Sequence, residues 1–230
     1  MQIDVLTIFP EMFEPVLGVS IIQRGREQGH LQIRVHDLRT YTHDKRRTVD
    51  DRPYGGGPGM VLKPEPIFEA LDALKHLCGH GKANPHCQTL VMSPAGERLT
   101  SPVARELAQV EHLIMICGHY EGIDERVFAV VNRAVSIGDY VLTGGELPAM
   151  VMIDAVARFI PGVIGHAEAT QEESFTNGQL EYPHYTRPPV FRDMTVPEIL
   201  RSGNHEQIVQ WRKGQSVAKT RASRPDLVQP

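Results

Sequence analysis

Apolar positions along this chain switch between a period of two and a period of three to four, and each switch marks a new element. Ile3, Val5, Leu6 and Ile8 predict a β-strand over residues 2–8, and Leu31, Ile33 and Val35 alternate with polar residues in a second strand. Between them the pattern is helical. Pro10 suits a first turn, Phe13, Val16 and Leu17 share a face, and Ser20 caps a further helical stretch that Gly29 ends. Ile67, Leu71 and Leu74 recur at helical spacing, residues 88–92 read as a strand, and Ser101 with Pro102 opens another helix. Residues 112–117 form a strand, 124–131 a helix, 134–137 a short strand, and 147–159 a strongly apolar helix halted before Pro161 and Gly162. Strand and helix taking turns over about 160 residues imply an α/β domain with a mainly parallel sheet.

After Pro161 the rhythm lapses. Residues 165–181 are polar with no apolar period and read as a flexible linker. Thr195 with Glu198 and Asn204 with Gln207 match capping-box spacing, so two short helices are expected, the second carrying Ile208 and Trp211 on one side. The division that follows is an α/β domain at 1–164, the linker at 165–181 and a small α-helical C-terminal domain at 182–230.

Composition agrees with a globular chain: 230 residues, 41% hydrophobic and 23% charged, exclude disorder as the main state. Cys78, Cys87 and Cys117 make no full set of pairs, which argues against a disulfide scaffold and for a reducing, cytoplasmic home. The first strand holds Asp4 and follows no basic leader, so it does not read as a signal peptide, and no apolar run reaches membrane-spanning length. The net charge of −4 conceals an asymmetry: residues 187–230 hold eight Lys or Arg against four Asp or Glu, a basic appendage on an acidic body. Such a tail is either a solvated face or a grip on a polyanion such as nucleic acid.

Three glycine-bearing stretches follow expected strand ends, where open α/β sheets bind ligands. They are Ser93-Pro94-Ala95-Gly96, the run 117–126 with Gly118, Tyr120, Glu121 and Gly122, and the run 136–146 with Ile137, Gly138, Asp139, Tyr140, Val141, Leu142, Gly144 and Gly145. They suit either tight turns or a main-chain grip on a flat ring and a ribose. The dinucleotide fingerprint, the phosphate loop, HExxH and GxSxG are all missing. Residues 52–60, rich in Gly and Pro, form either a mobile loop or a rigid wall. His76, Cys78, His80, His86 and Cys87 cluster without the spacing of a zinc site and read as polar loop residues. Arg158 at a helix end suits the helix dipole, and Glu172 and Glu173 suit a solvated linker, so spacing alone assigns neither to chemistry.

Longer motifs go further. Residues 50–60 (Asp-Asp-Arg-Pro-Tyr-Gly-Gly-Gly-Pro-Gly-Met), 117–126, 136–150, 157–163 and 182–188, with Ser202-Gly203-Asn204-His205 and Trp211-Arg212, stand in the order of a known family. The chain resembles the bacterial tRNA (guanine-N1)-methyltransferases of the TrmD type from end to end. That resemblance implies a SPOUT-type trefoil knot, an exception to the rule against threaded chains, and a homodimer whose active sites lie at the interface. It implies S-adenosylmethionine as methyl donor, held by Pro94, Gly118, Tyr120, Glu121, Ile137, Gly138, Asp139, Tyr140, Val141, Leu142, Gly144 and Gly145, with Mg²⁺ at Glu121. The substrate implied is tRNA, gripped at its anticodon arm and methylated at N1 of the guanosine immediately 3′ of the anticodon. In the family an Asp before Ser-Phe takes the N1 proton; here that position is Glu173, one methylene longer. Arg158 matches the catalytic Arg, and Ser174, Glu181, His184, Tyr185 and Arg187 fall where substrate contacts are expected. The rivals are an RNA-binding protein without activity and a knotted enzyme that methylates a ribose hydroxyl or another base.

Overall fold

The computed structural model describes residues 1–75, 84–165, 170 and 172–228. The chain divides into two compact units, Met1–Gly165 and His166–Pro230.

The first unit runs β1 (Gln2–Thr7), α1 (Glu14–Leu17), α2 (Ser20–Glu27), β2 (Gln32–Asp37), β3 (Asp50–Asp51), β4 (Val61–Leu62), α3 (Pro64–Lys75), β5 (Cys87–Arg98), α4 (Ser101–Leu107), β6 (His112–Cys117), β7 (Arg133–Ser136) and α5 (Glu146–Ala157). Among the described residues five strands make one sheet, ordered β2-β1-β6-β5-β7, and every pairing in it is parallel. The pleat sends alternate residues to opposite faces. Ile3, Val5, Leu113 and Met115 enter the core shared with α2, α4 and α5, while Leu6, Ile114 and Ile116 enter the one shared with α3. β6 is buried along its whole length, as a central strand covered on both faces must be.

Asp4 interrupts that apolar pattern. Its carboxylate is fully buried and accepts hydrogen bonds from Gln2 Nε2 at 2.7 Å, His36 Nε2 at 2.6 Å and His112 Nε2 at 2.5 Å. Burial pushes the Asp4 carboxyl up, but the bonds from His112, His36 and Gln2 outweigh it and hold the group well below the usual carboxylate range. The charge is therefore satisfied inside the sheet by both neighbouring strands.

Local details depart from the sequence pattern. Ser20 opens α2 at φ 56° and makes no side-chain cap, and α4 is preceded by Thr100, also without one. Gly29 does follow the end of α2, at φ 77°. The helix expected at 124–131 is a short 3-10 turn, Glu125–Ala129, capped by the Asp124 side chain on Arg126 N–H. Cys117 is a free, buried thiol, whereas Cys87 is disulfide-bonded. His76, Cys78 and His80 lie outside the described residues. Among the described residues no His, Cys, Asp and Glu cluster suits a metal, and no helix is long and apolar enough to cross a membrane.

The second unit holds the short antiparallel pair β8 (Val190–Phe191) and β9 (Met194–Thr195) and the 19-residue helix α6 (His205–Ser223). Asn204 caps α6 by accepting from Gln207 N at 3.2 Å, as its spacing predicts. Pro197 leads the first expected helix into a single 3-10 turn, Glu198–Arg201, with no side-chain cap. Residues 172–181, which the polar composition assigns to a linker, belong to this unit and are hydrogen-bonded to α6.

Candidate active site

One glycine-bearing stretch lies within β5, and the other two follow β6 and β7. Within β5 the pairing slips: Met92 and Glu97 both oppose Val135, so residues 93–96 bulge out of the ladder. What the sequence presents as a loop after a strand is an excursion inside a longer one. Gly96 is pressed against the next strand, where a Cβ would lie 2.4 Å from Val135 N.

The stretch after β6 is folded by its own backbone. Tyr120 sits at φ 61°, Gly122 at φ 141°, and Gly122 N–H donates to His119 O. Glu121 N–H donates to Met60 O at 3.0 Å, Leu62 N–H to Gly122 O at 2.9 Å and Asp124 N–H to Leu62 O at 3.0 Å. The Gly-Pro-rich residues 52–60 therefore end against this loop, with Gly59 packed so closely on Glu121 that a Cβ would clash. Arg126 grips Asp124 through two bonds of 2.8 Å and holds its carboxyl below the usual range.

Residues 144–145 pack against residues 118–119 of the β6 loop. Ser136 Oγ donates to Gly138 O at 2.9 Å, the Tyr140 ring lies on Gly138, and Gly145 N–H donates to Gly118 O at 2.7 Å. A Cβ on Gly145 would stand 2.7 Å from Cys117 Cα, so two backbones touch where no side chain fits.

The three stretches enclose a cleft of about 460 Å³, within the range of small-molecule sites. Pro94, Gly118, Tyr120, Glu121, Ile137, Gly138, Tyr140, Val141, Leu142, Gly144 and Gly145 all line it. Asp139 does not; its carboxylate is paired with the Arg98 guanidinium. The cleft also has features that sequence reasoning missed. His119 lines it, edge-on to the rings of Phe9 and Tyr120. Behind His119 lies Glu146, the first residue of α5 and only 2% exposed, whose Oε1 accepts from the Thr7 hydroxyl at 2.8 Å. His119 Nδ1 is buried without a hydrogen-bond partner, 3.9 Å from Glu146 Oε2. Burial pushes the Cys117 thiol well up, and the Glu146 carboxylate adds to it. An acid in the first turn of an apolar helix looks like dipole compensation, which is why its position hid this burial.

Arg158, at the C-terminal cap of α5, belongs to the first unit and is exposed. Glu173 belongs to the second. There a smaller cavity of about 180 Å³ is lined by Glu172, Glu173, Glu181, Tyr182, Arg212 and Lys213 among others. The Arg212 guanidinium stacks 4.7 Å from the Tyr182 ring centre. Ser174 Oγ accepts from Glu181 N–H at 3.0 Å, and His184 Nε2 lies 2.8 Å from Glu181 Oε1. Tyr185 faces Trp211 at 6.4 Å, and Arg187 is exposed.

A family model described as tRNA (Guanine-1)-methyltransferase TrmD matches residues 1–230. The chain belongs to the TrmD family. Curated tRNA (guanine-N(1)-)-methyltransferases resemble it along nearly all of both chains. That of Moorella thermoacetica is 57% identical, with 99% of this chain and 90% of the relative covered. Those of Dictyoglomus turgidum and Staphylococcus epidermidis are 51% and 49% identical, each with 100% of this chain covered and with 90% and 91% of the relative. The activity is that of a tRNA (guanine-N1)-methyltransferase. Membership of the TrmD family implies S-adenosylmethionine as methyl donor and tRNA as substrate. Gly118, Gly144 and Gly145 line the cleft and let its walls pack closely on one another.

Proposed function

We propose that this TrmD-family enzyme methylates N1 of the guanosine immediately 3′ of the anticodon, producing 1-methylguanosine and S-adenosylhomocysteine. The observation that carries the reading is the glycine-lined cleft built from residues 93–95 within β5 and the loops after β6 and β7, in a chain matched to the family throughout. S-adenosylmethionine supplies the methyl group at a sulfonium centre. Pro94, Gly118, Tyr120, Ile137, Gly138, Tyr140, Val141, Leu142, Gly144 and Gly145, all lining the cleft, hold it. The Glu173 carboxylate accepts the guanine N1 proton, so that the ring nitrogen attacks with its lone pair free. Arg158 stabilises the negative charge that gathers on O6 as the proton leaves. Ser174, Glu181, His184, Tyr185 and Arg187 place the target base and its neighbours.

The remaining parts follow the same reading. Glu121 is an exposed carboxylate lining the cleft, as is Glu125, which fits the way Mg²⁺ binds through one or two carboxylates, waters and phosphates; Glu121 would hold the ion. The basic C-terminal unit grips the anticodon arm through phosphates, so binding weakens steeply with salt. Val16, Val19, Leu147 and Val151 form an exposed apolar strip that supports a homodimer. The close crossing of residues 144–145 over 118–119 supports a trefoil knot. A tRNA substrate supports a cytoplasmic home.

Calorimetric titration with S-adenosylmethionine, followed by nucleoside mapping of methylated tRNA, tests the proposal. Binding at one site per chain or per protomer pair and a 1-methylguanosine product are expected. A 2′-O-methylated product, or no donor binding at all, would overturn it.

A further inference from the structure

We propose that Thr220, assisted by Ser216, is a positioning residue for Glu173; the role rests on the reading of Glu173 as the base. Thr220 lies on α6 and is fully buried. Its hydroxyl donates to Ser216 O at 2.7 Å, a common habit of helical Thr, and accepts from Leu180 N–H at 2.9 Å. One helical turn away, Ser216 Oγ donates to Leu180 O at 2.5 Å. Two hydroxyls on one face of α6 thus hold both peptide groups of Leu180.

That anchor closes a loop on Glu173. Glu181 N–H donates to Ser174 Oγ at 3.0 Å, Phe175 N–H to Gln179 O at 2.8 Å and Thr176 N–H to Glu173 O at 3.2 Å. Phe175 is held at φ 75°, a conformation a bulky residue adopts only when its surroundings impose it. The Arg224 guanidinium, 5.6 Å above the Phe175 ring, adds to that restraint. The backbone from Glu173 to Thr176 is consequently tied to α6 through Leu180 and Ser174. Placement of a catalytic group matters steeply: an error of about 1 Å costs on the order of 100-fold in rate.

Valine has the shape of threonine without the hydroxyl. In the full-length enzyme, Thr220→Val is expected to lower kcat by about 10- to 100-fold, with KM and calorimetric affinity for S-adenosylmethionine unchanged. Thr220→Ser restores kcat to within about threefold, because it returns the acceptor for Leu180. Hydrogen exchange at the Leu180 amide accelerates in Thr220→Val and not in Thr220→Ser. Ser216→Ala, which leaves the Thr220 bond in place, gives a smaller loss of kcat if the valine variant proves too unstable to assay. Wild-type kcat in Thr220→Val, or a loss that Thr220→Ser does not repair, would overturn the positioning role. A normal Thr220→Val beside an inactive Glu173→Gln defeats that role alone; full activity in Glu173→Gln defeats the base assignment beneath it.

Discussion

Thr7 and Glu146, 139 positions apart, meet in a buried hydrogen bond of 2.8 Å that ties the end of β1 to the start of α5. Thr7 Oγ1 also accepts from Phe9 N–H at 3.0 Å, so the hydroxyl is committed on both sides. Glu146→Ala leaves the Thr7 donor unpaired in a dry site and is expected to cost about 1–3 kcal/mol of unfolding free energy. Glu146→Gln keeps an acceptor and costs less. Urea denaturation of the two variants checks the order; equal stabilities would contradict it.

Gly145 owes its identity to close approach rather than to a special φ. Its α-carbon faces Cys117 and Gly118 backbone, which cannot swing aside as a side chain would. Gly145→Ala should destabilise by about 1–3 kcal/mol through overpacking and weaken donor binding at least tenfold. Thermal melting and calorimetry read the two effects. An alanine variant that binds S-adenosylmethionine normally would show that the crossing is looser than its geometry indicates.

The buried Asp4 carboxylate gives the fold an acid limit. Its folded-state pKa is depressed, so its contribution is fully present above the unfolded value near 4 and is lost as pH falls below that value toward the folded one. The slope of stability against pH in this acid range should flatten in Asp4→Asn. That variant also loses charge-assisted bonds from His36 and His112 and is expected to cost about 1.5–3 kcal/mol at neutral pH. Denaturation midpoints at several pH values decide the matter, and an unchanged acid slope would remove Asp4 as its source.

Much of this was legible in the sequence, because periodicity reports what a strand or helix buries. The pattern of Leu31, Ile33 and Val35 and the unbroken run 112–117 place strands where β2 and β6 lie, and the apolar run after Gly145 places α5. Caps were read less well: Asn204 serves as one, whereas Ser20, Ser101 and Thr195 do not, since a capping residue type marks a preference that neighbouring backbone overrides. The bulge at 93–96 was invisible because it depends on pairing with Val135, forty residues downstream. Glu146, His119 and Thr7 were missed for the same reason, as burial of a polar group is a property of the partners the fold assembles. Asp139, grouped with the donor loop by position, pairs with Arg98 and does not line the cleft. The assignments to Arg158 and Glu173 came from family resemblance, not from spacing.

Glu173→Gln removes a proton acceptor while keeping size and hydrogen-bonding shape. Turnover is expected to fall by roughly 10²- to 10⁴-fold with donor affinity intact, since the donor cleft lies wholly in the first unit. Single-turnover methyl transfer together with calorimetry makes the comparison. A variant that turns over like the parent would move the base to another residue.

The most direct test uses donor labelled in its methyl group and paired tRNA transcripts that differ at one nucleotide, the guanosine 3′ of the anticodon or an adenosine in its place. Label should enter the guanosine transcript alone and be recovered as 1-methylguanosine. Label in both transcripts, or recovered in any other nucleoside, would contradict the account.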